Sequence, residues 1–488
     1  MLYIARCILE LKTPLHCGGG KDDGIMDAPV ARDAYGLWRI PGSSVAGILR
    51  SHLRETCDKN AEKALFGYAH QDDRGNASLV WCTDAVLLDC DNQPAWHKYL
   101  EGAAPTITAP VFLRDHVRID EATGAASNTG KFDEEYVPAG TRFAVEIRLD
   151  GWMESPSAEA LDYFARLLQA LREGAISFGG HGANGYGEYT VLQQECRHFA
   201  LHDPRCMEQW LNLPALTAKA QPLFPADAGK PWQPAPAQAK ANAPKGISGS
   251  FSLPLMTSGP LLIAGGRPEG AIDADMCFAP TVVYDYKQKN GLQRTVYTIP
   301  GSSLRGVIRH RVLHILRALG FADPQREVAR IFGTASGDTG KKGHVRIADA
   351  PLQYDNAAVD TRACQIVQHV AVDRFTGGAM DAHLFNEAPV WRDKVKLALR
   401  MRLDGLEPAQ AGILLHALID LAQGNVAIGN GGNRGNGRLQ LDTDASPTCD
   451  LVWDGEHLAG EAVTARTWLT RLHNAVQEAI AKEKHHAA

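Results

Sequence analysis

The chain repeats itself once, and a sequence built from two copies of one long unit is expected to fold as two similar domains. Gly19-Gly20-Lys21-Asp22-Asp23-Gly24-Ile25-Met26-Asp27-Ala28 aligns without gaps on Gly265-Gly266-Arg267-Pro268-Glu269-Gly270-Ala271-Ile272-Asp273-Ala274, at an offset of 246. Ile40-Pro41-Gly42-Ser43-Ser44 returns as Ile299-Pro300-Gly301-Ser302-Ser303 at an offset of 259, so the second copy carries 13 extra residues between these blocks. Leu65-Phe66-Gly67 answers Ile331-Phe332-Gly333, and His116-Val117-Arg118-Ile119-Asp120 answers His369-Val370-Ala371-Val372-Asp373, each with Thr-Gly just beyond. Arg148-Leu149-Asp150-Gly151 returns as Arg402-Leu403-Asp404-Gly405, and each copy closes on a glycine-rich loop, 179–187 and 429–437. Between the copies, 17 of the 35 residues from Pro214 to Ser248 are Ala or Pro and no apolar period persists, which marks a linker. Domains over 1–213 and 249–488 follow, with Phe224 and Trp232 available to pin the linker to a surface.

Each unit opens on alternation suited to a half-buried strand, Leu2 to Leu15 and Gly249 to Leu262. Pro-Gly-Ser-Ser then breaks the chain and offers a hydroxyl N-cap, after which Val45, Ile48, Leu49 and Leu53 recur at helical spacing, as do residues from Leu304 through Leu316. A second helix is predicted over Ala158 to Glu173 and over Pro408 to Gln423, each running into a strand-like Ala-Ile-Ser-Phe or Asn-Val-Ala-Ile. Strand, helix, several strands, helix and strand in this order suggest an α+β, ferredoxin-like core in each copy. Residues from about Pro105 to Pro138 read as an inserted arm.

Composition narrows the function classes. Of 488 residues, 45% are apolar and 22% charged, which excludes fibrous and wholly disordered chains. A net charge of −6 excludes a histone-like polycation, so any nucleic-acid contact must come from local basic patches. No stretch of about 18 apolar residues occurs and the first residues lack the pattern of a secretory leader, so a cytoplasmic protein without a membrane span is expected. Ten cysteines without a CxxC pair read as reduced thiols. Cys196, His198, His202 and Cys206 have a spacing that could place a zinc shell on one helix face, or they are unrelated residues.

Three features carry candidate chemistry. The glycine loops can present N–H groups to phosphates, with Gly182, Asn184, Gly185, Asn433, Arg434, Gly435 and Asn436 at their centres, or they are tight turns. The helix starts at Ser43-Ser44 and Ser302-Ser303 offer free N–H groups, and Arg50 with Arg54, or Arg305 with Arg309, lie four residues apart on one face, a pattern suited to a phosphate backbone. Asp27 and Asp273 sit in short Gly-bounded loops, where each is either an Asx-turn residue or an exposed carboxylate able to bind a divalent ion or assist deprotonation of a ribose 2′-hydroxyl. No Walker loop, HExxH, GxSxG elbow or Rossmann fingerprint occurs in its structural context.

The ordered set Gly-Gly, Asp, Ile-Pro-Gly-Ser-Ser-x-x-Gly, Phe-Gly, His-Val-x-Ile-Asp-x-x-Thr-Gly and a terminal glycine loop resembles the RAMP superfamily, specifically the backbone subunits of type III CRISPR effector complexes. Both halves match. The resemblance implies a tandem fusion of two such subunits, each an RRM-like domain that grips the CRISPR guide RNA through Ser43, Ser44, Arg50, Ser302, Ser303, Arg305, Arg309 and the glycine loops. The arms His116 to Pro138 and His369 to Pro389, including Asp120 and Asp373, resemble thumbs that interrupt the guide–target duplex. Asp27 and Asp273 match the aspartate that cleaves target RNA in the family, with a divalent cation such as Mg²⁺ as cofactor. Partners implied are guide RNA, complementary target RNA and other type III subunits, including the large polymerase-like one. The second copy departs from the pattern: Asp273-Ala274-Asp275-Met276 replaces Asp27-Ala28-Pro29-Val30, the extra residues bring Lys287, Lys289 and Arg294, and Asp275 becomes an alternative catalyst. Ala46 stands where the second copy has Arg305, which implies a weaker guide grip in the first. A non-catalytic filament subunit, and a stand-alone repeat-RNA nuclease relying on His16, are the competing readings.

Overall fold

The structure, a computed structural model, describes all residues except 21–27, 70–74, 103–106, 121–125, 152–154, 217–222, 236–245, 266–273, 288–292, 335–339, 356, 360, 393, 459–461 and 487–488. In the first unit, β1 (Leu2–Leu11) is followed by α1 (Gly42–Thr56) and α2 (Lys59–Phe66), the short strands β2 (Val80–Cys82) and β3 (Ala85–Leu87), and a separate hairpin of β4 (Leu113–Ile119) and β5 (Ala126–Glu135). The unit continues through β6 (Arg142–Asp150), α3 (Ala158–Arg172), β7 (Tyr189–Phe199) and α4 (Pro204–Leu211). The sheet is antiparallel, with β1 between β6 and β7, and with β2 and β3 on the far edge of β6.

The second unit repeats this path. It runs through β8 (Ile247–Thr257), the added strands β9 (Pro280–Tyr284) and β10 (Gln293–Ile299), α5 (Gly301–Ala318), α6 (Pro324–Phe332) and β11 (Val345–Ile347). A hairpin of β12 (Val367–Val372) and β13 (Ala379–Ala388) precedes β14 (Lys396–Leu406), α7 (Pro408–Ala422), β15 (Leu439–Leu441), β16 (Thr448–Trp453) and α8 (Ala462–His486). Here β8 lies between β14 and the pair β15 and β16, with β11 on the far edge of β14. The helices over Ala158–Arg172 and Pro408–Ala422 match their sequence-based bounds to within one residue.

Three local expectations change. The helix starts are not capped by serine hydroxyls: Pro41 and Pro300 hold the N-cap positions without a side-chain bond. The first helical amide is instead bound by an aspartate from the neighbouring strand segment, Gly42 N–H donating to Asp84 Oδ1 at 2.8 Å and Gly301 N–H to Asp349 Oδ1 at 2.7 Å. Ala175–Phe178 and Val426–Ile428 do not form sheet strands; Phe178 and Ile428 N–H donate to the Gly187 and Gly437 carbonyls, so these segments are stems of the glycine loops. The strands follow the loops.

β1 is buried on both faces rather than one. Tyr3, Ala5, Cys7 and Leu9 pack toward the helices, while Leu2, Ile4 and Ile8 pack against Leu223, Phe224 and Ala228 from the inter-unit segment. That segment is held by Arg6, whose guanidinium donates to the Leu223 and Pro214 carbonyls at 2.8 and 2.7 Å and lies over the Phe224 ring. Trp232 stacks on Phe164, and Lys230–Pro231 pair with β7. The Ala/Pro-rich composition concealed this, because a few apolar anchors suffice to lay an extended chain on a sheet.

The 13 extra residues have a clear structural use. Their hairpin, β9 with β10, places Tyr284 and Tyr286 in the first unit's core; Tyr286 Oη donates to the Leu88 carbonyl at 2.8 Å and Tyr284 Oη to the Thr108 carbonyl at 3.1 Å. Beside it, Arg114 of the first unit enters the second, 2.9 Å from Asp349 Oδ2 and 2.9 Å from Tyr186 Oη, with its plane over Tyr136 and Tyr186. Gly185, at φ +75°, brings the first glycine loop so close to Ala348 that a Cβ would collide with the Ala348 backbone.

Two outcomes follow from this junction. Arg114→Leu leaves the Asp349 carboxylate buried without its cation and should cost about 3–5 kcal/mol, read by calorimetry as a lowered transition for unit docking. Gly185→Ala should loosen the pair far more than Gly435→Ala, whose Cβ would meet nothing within 4 Å, and small-angle scattering would read the difference as a larger radius.

Candidate functional site

In each unit the Gly-bounded loop, the base of the hairpin and the glycine loop converge on one corner. In the first unit the neck of the loop is closed by Gly19 N–H donating to the Pro29 carbonyl at 2.9 Å and Ala31 N–H to the Cys17 carbonyl at 2.7 Å. Glu135, fully buried, fixes the loop exit: its N–H donates to the Ala28 carbonyl at 3.0 Å, Val30 N–H donates to its Oε2 at 2.8 Å, and the Arg32 guanidinium binds its Oε1. Asp27 and Asp273 lie outside the described residues, but their chain neighbours Ala28 and Ala274 are described and stand at this corner. Asp275 is exposed and accepts a hydrogen bond from Asn386 N–H at 2.8 Å, while Met276 and Cys277 pair in parallel with Glu387 and Ala388.

Behind each loop exit sits a buried glutamate that sequence reasoning missed, Glu134 at 1% exposure and Glu387 at 2%. Its offset of 253 between the copies, equal to that of His116 and His369, was the available signal. The two histidines occupy equivalent places: His116 stacks on Phe132 with Nε2 at 3.4 Å from Glu134, and His369 stacks on Phe385 with Nε2 at 3.0 Å from Glu387. In the second unit Arg434 and Asn436 complete the shell, donating to Glu387 at 2.6 and 3.0 Å. In the first, His181 Nε2 lies 3.3 Å from Glu134 and His16 Nδ1 3.5 Å. Burial works to raise the pKa of both carboxyls, but it is outweighed, and each is held below the ordinary range: Glu134 by His116, His181 and His16, and Glu387 by Asn436, Arg434 and His369. Burial lowers the pKa of His181, against the pull of Glu134. His181 sits at φ 55°, a left-handed conformation that costs a side chain roughly 1–2 kcal/mol, where the second copy has Gly431.

Outward from the base, the hairpins expose apolar side chains: Val117, Ile119 and Phe132 on one, and Val370, Val372, Leu384 and Phe375 on the other, the last at 95% exposure. Asp120 is exposed at the end of β4, and Asp373 closes its turn by accepting from Phe375 N–H, Thr376 N–H and Thr376 Oγ1. These tips suit contact with flat apolar surfaces such as base faces.

The expected phosphate contacts are only partly open. Arg50 and Arg54 do share a face, yet both converge on Glu62 of α2, at 2.6 and 3.5 Å. Arg305 is engaged by backbone: it donates to the carbonyls of Val345 at 2.7 Å, Ala183 at 3.4 Å and Phe332, and burial beside Arg309 lowers its pKa to about 10. Of the first glycine loop, Gly185 is buried against Ala348 and the Asn184 carbonyl lies against Gly301, so these two face the second unit, while Gly182 borders open space. In the second loop Asn433 and Gly435 are exposed, whereas Arg434 and Asn436 are committed to Glu387. Ser43 is exposed, and Ser44, Ser302 and Ser303 are half-buried. A mixed-charge cleft with a group of arginines went unnoticed in the sequence: Lys12, Glu173 and Glu188 of the first unit and Arg346, Arg400, Arg402 and Asp450 of the second line a 400 Å³ recess between the units. Its arginines come from two strands far apart in sequence, which no local window joins.

Cys196, His198, His202 and Cys206 do not share a helix face. Cys196 and His198 lie on β7 and Cys206 on α4; Cys196 joins the core, His198 packs beside Tyr3, and Cys206 Sγ donates to Asp203 at 3.6 Å. Among the described residues these four do not form a ligand cluster, and all ten cysteines are free thiols. Among the same residues no helix is long and apolar enough to cross a membrane.

Comparison with known proteins follows the repeat. The model of the RAMP superfamily matches twice, over residues 8–190 and 255–440. The chain is similar to a protein of Methanocaldococcus jannaschii named CRISPR system Cms endoribonuclease Csm3, 28% identical over 199 residues that make 37% of this chain and 75% of that protein. It is also similar to CRISPR system Cmr endoribonuclease Cmr4 of Pyrococcus furiosus, 30% identical over 170 residues, 34% of this chain and 52% of that protein. With both units matched, and with one strand path repeated around two equivalent corners, the chain belongs to the RAMP superfamily as two of its units in tandem.

Proposed function

We propose that this chain is a guide-RNA-binding backbone subunit of a type III CRISPR complex, a fusion of two such subunits, and that it cleaves complementary target RNA. The observation that carries the reading is the repeated corner: in both units the exit of an aspartate-bearing loop is bound to the base of a hairpin whose histidine stacks on phenylalanine above a buried glutamate. The names of the two relatives, both endoribonucleases of CRISPR systems, support the activity. Each unit is read as a ferredoxin-like, RRM-like domain, since the last strand, the first, the strand after the hairpin and the edge strands stand in that order across both sheets. The hairpins are then thumbs, whose exposed Phe375, Val117 and Ile119 would pack on bases and splay a nucleotide from the duplex.

The chemistry needs little machinery. A splayed ribose presents its 2′-hydroxyl in line with the adjacent phosphorus; Asp27, or Asp273, takes the hydroxyl proton as oxygen attacks, and the 5′-oxygen leaves with a proton from solvent. The products are a 2′,3′-cyclic phosphate and a 5′-hydroxyl end. A divalent ion such as Mg²⁺ bound near these loops would stabilise charge on the phosphate; oxygen ligands suit it, and Asp275 offers an exposed carboxylate in the second unit. Partners are guide RNA, target RNA and further complex subunits. The surface that receives Arg114 and the glycine loop on the second unit recurs on the first around Gly42 and Asp84, where Asp84 is 44% exposed, a place for a neighbouring subunit.

Two measurements test this. Asp27→Ala should erase one product band and Asp273→Ala another while guide and target binding persist; survival of both bands in the double variant leaves a structural filament subunit as the reading. Arg400→Glu with Arg402→Glu should weaken RNA retention more than Arg50→Glu, because Glu62 already neutralises Arg50, and should lower the log–log salt slope by about one for each phosphate no longer neutralised. Equal salt slopes in all three proteins would remove the cleft from the RNA path.

A further inference from the structure

We propose that the first unit, and not the second, carries a transition-metal site of the zinc class, built from Glu134, His16 and His181, with His116 at its edge. Ligand atoms of His16, Glu134 and His181 lie within 4.8 Å of one another, and His116 reaches the same carboxylate from β4. The separations are those of co-ligands rather than of hydrogen bonds. Donors at 2.0–2.1 Å on a tetrahedral ion stand about 3.3–3.4 Å apart; His181 Nε2 stands 3.3 Å from Glu134 Oε2 and His16 Nδ1 3.5 Å from Oε1. At Glu387 the Arg434 and Asn436 contacts are direct bonds of 2.6 and 3.0 Å, while His369 Nε2 stands 3.0 Å away without a hydrogen bond.

The second observation is burial without partners. Both Glu134 oxygens are buried and make no hydrogen bond, an arrangement that is costly for a carboxylate at 1% exposure unless something sits beside it, whereas neither Glu387 oxygen is in that position. The second copy is an internal control. There Arg434 and Asn436 replace Asn184 and Tyr186, satisfy Glu387 directly, and fill the space above Gly431, where any Cβ would strike Asn436. A guanidinium in contact with the carboxylate excludes a metal cation. In the first copy that position is opened and an imidazole is added at 181, in a backbone conformation that glycine would adopt with less strain. Two imidazoles and one carboxylate, with a fourth position left for water, suit zinc and its neighbours and do not suit Mg²⁺, which takes oxygen ligands. His16 Nδ1 also faces the Glu135 carbonyl at 2.9 Å, a contact that ligation by this nitrogen would replace. The ion would clip the end of the first strand segment, the hairpin base and the glycine loop together. The inference does not rest on RNA cleavage.

The test uses the full chain, stripped with a chelator and titrated with Co²⁺ and then Zn²⁺. One Co²⁺ per chain should give the intense visible bands of tetrahedral coordination, bleached by stoichiometric Zn²⁺, with one zinc retained through gel filtration and a raised melting temperature. His181→Gly installs the second copy's residue and keeps the fold; its affinity should fall by more than the roughly 10- to 100-fold that loss of an outer-shell partner costs. His16→Ala should weaken binding likewise, and His369→Ala should leave it unchanged. Failure of the wild-type chain to bind either ion at micromolar concentration overturns the proposal, as does equal binding by the His16→Ala, His181→Gly double variant. Circular dichroism of each variant separates loss of a ligand from loss of fold.

Discussion

The contact between Arg114 and Asp349 ties the molecule together because each partner has a second commitment. Asp349 holds the first amide of α5 with one oxygen and Arg114 with the other; Arg114 also binds the Tyr186 hydroxyl of the first glycine loop. Hairpin base, glycine loop and the next unit's helix start are thereby fixed in one small volume. A buried ion pair is weak evidence of stability, since desolvation offsets much of the attraction, but it is strongly directional. In the first unit the corresponding aspartate, Asp84, is bound by Arg39 of its own unit, so the same helix start needs no neighbour there. One architecture thus has a cis and a trans version of the same neutralisation.

The two buried glutamates show how a repeat diverges under one electrostatic demand. A carboxylate at this depth must be compensated, and the offset pair Glu134 and Glu387 is compensated by different chemistry. A guanidinium and an amide do so through short direct bonds at Glu387. Imidazoles surround Glu134 at longer range, and the exchange of residues 181, 184 and 186 against 431, 434 and 436 is concerted because Gly431 has no room for a side chain beside Asn436. The hairpin histidine is the constant, stacked on phenylalanine in both units.

Much of the fold was legible because the repeat doubled every signal. Helices starting at Pro-Gly-Ser-Ser and covering Ala158–Arg172 and Pro408–Ala422 follow from apolar spacing, and the inserted arm from its position between sheet segments. Contacts between distant segments were not legible. Nothing local says that Asp84 and Asp349, rather than serine hydroxyls, bind the helix starts, or that Phe224 in an Ala/Pro-rich segment covers a second face of β1. The extra residues of the second copy stand out in the sequence by their lysines, when Tyr284 and Tyr286 are the informative ones: aromatic rings in an otherwise polar insertion have surface to bury. At the corner, the histidines are found by their motif, while Glu134 and Glu387 escape notice because charged residues are ordinarily exposed.

The basic residues make the same point about electrostatics. Sequence spacing places Arg50 and Arg54 on one helical face, and the structure agrees, but Glu62 meets them there and Glu146 meets Arg6 and Arg148 on the first sheet. Such pairs contribute little long-range field, so a count of arginines on a helix overstates its attraction for a polyanion. Arg346 and Arg402 are directly opposite on adjacent strands, and burial together with the Arg402 charge lowers the Arg346 pKa. Like charges held side by side in a recess are unfavourable alone and favourable with an anion present, which is how a chain of net charge −6 can still present a local surface suited to phosphate.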